Sequence, residues 1–132
     1  MSGVLKIVQL DHVGLVVSDL DRSLDFYRRL GLEVLRTSGP DAKGVRSAVV
    51  KVAGQELNIF SRPDAAPIDT RDNAAGMHHF CLRLEARSIE EVVAGVRQAG
   101  LEIVRGPVKR RDGASVFLAD PDGVRVELQI FD

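Results

Sequence analysis

The chain lacks most of the features that would assign it quickly to a special class. Cys81 is its one cysteine, so no internal disulfide can form, which fits a reducing, cytoplasmic setting. Charge of one sign is also missing. Eighteen basic residues meet nineteen acidic ones for a formal net charge of −1, so no global field favours nucleic acid or an anionic membrane. Apolar runs such as Ala48–Val50 are strand-length, far short of the roughly 20 residues that cross a bilayer. Met1–Gln9 does not have the charged-then-apolar layout of a secretory signal. There is no P-loop, no glycine-rich dinucleotide fingerprint and no defensible Ser-His-Asp set. What remains is a chain of 132 residues with 45% hydrophobic and 28% charged residues, which reads as a single globular domain, 1–132.

The chain repeats itself. Shifted by 69, residues 20–60 fall on 89–129 without a gap. Arg28/Arg97, Gly31/Gly100, Leu32/Leu101, Glu33/Glu102, Arg36/Arg105, Gly44/Gly113 and Gly54/Gly123 are identical, and "LGLEVLR" answers "AGLEIVR". Each copy carries the same order of signals. In the first, an apolar stretch Leu10–Val17 suits a buried strand, Ser18 or Asp19 can cap a helix, and Leu20, Leu24, Tyr27 and Leu30 form its apolar stripe. Gly31 ends that helix, and strands follow at about 32–37, 46–52 and 55–61. In the second, a strand at about 77–84 precedes a helix capped by Ser88 and ended by Gly100. Strands at about 101–105, 114–119 and 124–130 complete it, with Asp120-Pro121-Asp122-Gly123 as a turn. The expected fold is α+β: two tandem βαβββ modules, about 5–61 and 77–131, joined by a linker at about 62–76, with sheets facing each other around a central cavity.

Side chains alternate along a strand, so parity assigns faces. Val124, Val126, Leu128 and Ile130 belong on the helix face, leaving Arg125, Glu127 and Gln129 towards the cavity. In copy one, Leu57 and Ile59 take the helix face, leaving Glu56, Asn58 and Phe60. Val13, Leu15 and Val17 match Phe80, Leu82 and Leu84, which places His12 and His79 on the cavity side. Two histidines at equivalent positions thus share a face with Glu127, a carboxylate in an apolar strand where an unpaired charge would be costly. Two imidazoles and one carboxylate suit a divalent Fe, Mn, Ni, Co or Zn ion with positions left open for substrate.

The segments "LDHVGLVVSDLDRSLDFYRRLGLEVL", "HHFCLRL" and "LADPDGVRVELQIF" resemble the vicinal oxygen chelate superfamily of glyoxalases, bleomycin-resistance proteins and extradiol dioxygenases. "GQELNIFSRP" is similar to the same region of its small glyoxalase-domain members. The resemblance spans essentially the whole chain. It implies one divalent metal ion held by His12, His79 and Glu127, a small-molecule substrate and a homodimer. Glyoxalase I-like members place Glu or Gln where this chain has Asn58, with Glu56 two residues earlier on the same face. Either could complete the site, but asparagine is a weak ligand, so a three-ligand site resembling the fosfomycin-resistance or dioxygenase type is the better expectation. Lyase or isomerase chemistry by Lewis-acid stabilisation of an oxyanion or enolate is the leading expectation, with Glu127 and Glu56 as catalytic carboxylates. An iron-dependent ring-cleaving dioxygenase and a metal-free ligand-sequestering protein are the alternatives.

Other residues are weighed against plainer roles. Glu56 is either a general base or a solvated carboxylate. Asn58, Arg83 and Arg125 are candidate substrate contacts, the arginines suiting an anionic substrate, and Gln129 would line the same cavity. His78 points away from His79 by parity, and Cys81 reads as a small buried residue. Lys109, Arg110 and Arg111 read as a solvated loop, or as a lid over an anionic substrate in the minority reading, while Phe26 and Tyr27 read as core.

Overall fold

A computed structural model describes residues 3–132. Ten elements follow one another: β1 (His12–Val17), α1 (Leu20–Arg29), β2 (Glu33–Ser38), β3 (Arg46–Val52), β4 (Gln55–Ser61), β5 (Phe80–Arg83), α2 (Ile89–Gln98), β6 (Arg105–Arg110), β7 (Gly113–Ala119) and β8 (Arg125–Phe131). They form two four-stranded sheets, ordered β1-β4-β3-β2 and β5-β8-β7-β6. The opening strand of each module runs parallel to the closing strand, and the remaining pairs are antiparallel. The two βαβββ modules expected from the repeat are therefore present.

Both helices begin and end by the same local chemistry. The Asp19 carboxylate accepts from the Arg22 amide, and the Ser88 hydroxyl accepts from the Glu91 amide. At the other end Gly31 and Gly100 adopt φ of 92° and 75°, a left-handed conformation that only glycine enters cheaply. Face parity also holds. Leu15, Val17, Leu57, Ile59, Val126, Leu128 and Ile130 enter one core with Leu20, Leu24 and Tyr27 of α1 and Val92 and Val96 of α2.

A polar joint ties the modules together. The Tyr27 hydroxyl, fully buried, donates to Asp120 at 2.8 Å, and the second Asp120 oxygen accepts the Asp122 and Val124 amides at 2.9 Å. Burial pushes the Asp120 carboxyl above its usual range, and burial together with the Asp120 charge pushes the Tyr27 hydroxyl well above its own.

Three boundaries differ from the sequence expectation. β6 spans Arg105–Arg110, not 101–105. Leu101 and Ile103 pack on the core before the ladder starts, and pairing with β7 begins only at Arg105. The ladder then continues to a two-residue hairpin, with Arg110 opposite Gly113. Lys109 and Arg110 are accordingly strand residues, not loop. β5 is shorter than expected, beginning at Phe80, so His78 and His79 lie just before the strand. β1 begins at His12, and residues 3–11 form no regular element, with Val4, Leu5, Ile7, Val8 and Leu10 exposed.

Candidate functional site

The site is built on module two. β8 carries Glu127 into the sheet centre, between Cys81 of β5 and Phe117 of β7. The residue is 6% exposed, so its charge needs partners. It has two. His79 Nε2 lies 3.0 Å from Oε1, and Arg110 Nη2 lies 3.2 Å from Oε2. Arg110 is itself steadied by donating from Nε to the Ser115 hydroxyl at 2.9 Å. The His79 ring stands edge-on to Phe117 with centroids 5.5 Å apart.

His78 extends this arrangement outwards, contrary to the parity expectation. Parity holds only within a strand, and both histidines precede β5. Their Nδ1 atoms lie 2.8 Å apart, and His78 Nε2 lies 3.3 Å from the exposed Asp72 carboxylate. The resulting chain runs Asp72, His78, His79, Glu127. Satisfying its three contacts takes three N–H hydrogens, whereas two neutral imidazoles carry two. The contact between His79 Nε2 and Glu127 therefore calls for a third hydrogen or a cation, and an imidazole nitrogen beside a carboxylate oxygen is a donor set that would hold a divalent metal ion.

His12 shares a cavity with His79 but stands apart from the His79–Glu127 pair. A cavity of about 460 Å³ is lined by His12, Glu56 and Gln55 of module one and by Met77, His79 and Cys81 of module two. Within it His12 is opposite Glu56 in register, and its Nδ1 lies 2.9 Å from the Asp11 carboxylate. Among the described residues no three His, Cys, Asp or Glu side chains are clustered to hold a metal. Asn58, the counterpart of Glu127 under the repeat, lies opposite Gly14, and its buried Oδ1 has no hydrogen-bond partner. An orphaned buried acceptor of this kind fits a site for an ion or ligand.

The remaining candidates fall as follows. Arg125 is bound to the Thr70 carbonyl and, at 3.1 Å, to Asp72. The Arg83 guanidinium lies 4.2 Å above the Phe131 ring. Gln129 Oε1 is 3.5 Å from the Cys81 sulfur. Cys81 is an exposed residue and not the small buried one expected, because its strand is a sheet edge. Its thiol is still pushed up to about 11, first by partial burial and then by the Glu127 charge. Phe26 and Tyr27 are core residues. Sequence reasoning missed Arg110, Ser115 and Phe117 as the surroundings of Glu127. The Asp112-Gly113 hairpin signal would have placed Arg110 on a strand.

Comparison with known proteins bears on the family and the fold. Residues 9–128 match the model of the Glyoxalase/Bleomycin resistance protein/Dioxygenase superfamily. Lactoylglutathione lyase of Escherichia coli O157:H7 is 32% identical over 125 residues, covering 92% of this chain and 91% of the relative. A glyoxalase family protein from Enterococcus faecalis superposes with a TM-score of 0.78 at 31% identity, covering 92% of this chain and 96% of the other. A variant of the fosfomycin resistance protein of Listeria monocytogenes, solved with Mn(II) and 1S,2S-dihydroxypropylphosphonic acid, shares the fold with a TM-score of 0.74 at 21% identity, covering 94% and 93%. With its two βαβββ modules and a match over nearly its whole length, the chain belongs to the glyoxalase/bleomycin resistance protein/dioxygenase superfamily.

Proposed function

We propose that the chain is a divalent-metal-dependent enzyme of glyoxalase type, acting on a small oxygen-bearing substrate by lyase or isomerase chemistry. The observation that carries this reading is the His79–Glu127 pair, at 3.0 Å, with His79 lining a cavity that His12 also lines. His12, His79 and Glu127 would hold the ion, drawn from Fe, Mn, Ni, Co or Zn. When bound, it would act as a Lewis acid for a developing oxyanion or enolate. The chain's own groups divide the remaining work. Glu56, opposite His12 in the ladder, accepts a proton from the substrate carbon. Glu127 is a ligand that can also exchange a proton. Arg110 fixes its orientation through Oε2. Asn58 offers its free Oδ1 to substrate or ion, and Arg83 and Arg125 supply positive charge for an anionic substituent.

A metal-free ligand-sequestering protein is the second reading. It is favoured by the Arg110–Glu127 ion pair, which already compensates the buried carboxylate, and by the separation of His12 from His79 and Glu127. Reconstitution with each of the five metals, followed by proton-exchange assays on α-hydroxycarbonyl compounds in deuterium oxide, separates the two. Exchange with at least one metal, lost in Glu56→Gln, supports the enzyme. No exchange with any metal removes it. Oxygen uptake with a catechol, in the iron form alone, would indicate dioxygenase chemistry instead.

The chain also belongs, in this proposal, to a homodimer in the cytoplasm. The exposed apolar segment Val4–Leu10 and the edge position of β1 and β5 supply surface for a second copy. The free thiol of Cys81 suits a reducing compartment. No helix is long and apolar enough to cross a membrane among the described residues.

A further inference from the structure

Phe117 is ringed by positive charge. Its side chain is buried, with the Arg105 guanidinium 5.2 Å and the Arg110 guanidinium 5.7 Å from the ring centroid. Arg110 is committed to Glu127 and Ser115. Arg125 is held by the Thr70 carbonyl and the Asp72 carboxylate. Arg105 alone has no carboxylate within 4 Å among the described residues and rests on the aromatic face. Arg105, Arg125, Phe117, Val104, His78 and Asp72 line a cavity of about 470 Å³, a size suited to a small molecule. Three guanidinium groups here face two carboxylates, Glu127 and Asp72, which leaves one guanidinium charge uncompensated.

We propose that Arg105 and Arg125 form an oxyanion subsite over Phe117, which takes the carboxylate or phosphoryl group of a small substrate and packs the adjoining apolar part against Phe117 and Val104. The proposal rests on the reading of the His79–Glu127 face as the place where substrate is handled. A guanidinium presents a planar fork of donors that matches a carboxylate or phosphoryl group, and stacking on a ring holds that fork in place before binding. A single uncompensated charge in a hollow of this size suits one small anion, not a polyanion. Asp72 is the internal competitor. It comes from the linker, its side chain is 85% exposed, and its carboxylate lies 3.1 Å from Arg125 where a ligand's carboxylate would sit. The ligand displaces Asp72 from Arg125 and adds Arg105, which Asp72 does not reach within 4 Å.

The test is calorimetric titration of the full chain with phenylphosphonate, benzoate, inorganic phosphate and benzyl alcohol, at low ionic strength, before and after chelation. Phenylphosphonate and benzoate bind, inorganic phosphate binds more weakly, and benzyl alcohol does not bind. Arg105→Gln weakens phenylphosphonate about tenfold, as expected for one charge-assisted contact. Arg105→Lys falls between, and Asp72→Asn tightens binding. Equal affinity in wild type and Arg105→Gln, or no gain in Asp72→Asn, overturns the subsite. Inorganic phosphate binding as tightly as phenylphosphonate overturns its apolar half. Arg105 is exposed, so its variants should melt with wild type, which keeps the comparison one of binding. Anion binding that survives chelation upholds the subsite even if the metal-dependent activity fails. Metal retention with no anion binding counts against the subsite alone.

Discussion

Arg110 Nη2 and Glu127 Oε2 lie 3.2 Å apart, joining the end of β6 to the middle of β8 and leaving the other carboxylate oxygen to His79. A carboxylate this buried is stable only while both sides are engaged. Arg110→Ala removes one partner and should lower stability by about 2 kcal/mol, read from urea unfolding. Adding Glu127→Gln to that variant should recover much of the loss, because the buried charge is gone. An unchanged midpoint in Arg110→Ala would show that the pair carries no such weight.

What the sequence disclosed, and what it hid, divides along physical lines. The repeat, the helix ends at Gly31 and Gly100, the caps at Asp19 and Ser88 and the buried faces of β4 and β8 were all legible, because local chemistry or strand alternation sets each of them. His79 reaches Glu127 as alternation led one to expect and His78 departs from it, although both lie just before β5, outside the strand where alternation has meaning. Arg110 was hidden because the alternating stretch Leu101–Val104 resembles a strand, although Leu101 and Ile103 pack against the core before the ladder begins. Asp72 was out of reach for another reason. It comes from a linker with no periodicity, so nothing local foretells its contacts with Arg125 and His78.

Asp120 offers a test of the joint between the modules. Asp120→Ala leaves the Tyr27 hydroxyl, the buried Val124 amide and the half-buried Asp122 amide without an acceptor, at a cost of about 3 kcal/mol. Asp120→Asn retains an oxygen for the amides and should cost less. The pH dependence has a definite sign. The folded-state carboxyl is raised, so the folded protein binds its proton more tightly than the unfolded chain does. This group's contribution to stability is therefore largest at low pH, below the ordinary carboxylate value. It is lost as pH rises through the folded-state value. Melting curves of wild type and Asp120→Asn should diverge across that window, and parallel curves would contradict it.

Cys81 should alkylate slowly at neutral pH, since its thiol is pushed up to about 11. Burial is the first cause and the Glu127 charge the second, so Glu127→Gln in chelated protein should move half-maximal alkylation to lower pH without restoring the value of a free thiol. Iodoacetamide kinetics against pH measure this. Alkylation of wild type at the rate of an unhindered cysteine would refute it.

The central claim is that His12, His79 and Glu127 hold one divalent ion, and metal content tests it most directly. Untagged wild type, His12→Ala, His79→Ala and Glu127→Ala would be purified alike, reconstituted with Fe, Mn, Ni, Co or Zn, and analysed after removal of free metal. The account predicts about one equivalent in wild type and loss in all three variants. No retained metal in wild type, or full retention in His79→Ala and Glu127→Ala, would contradict it.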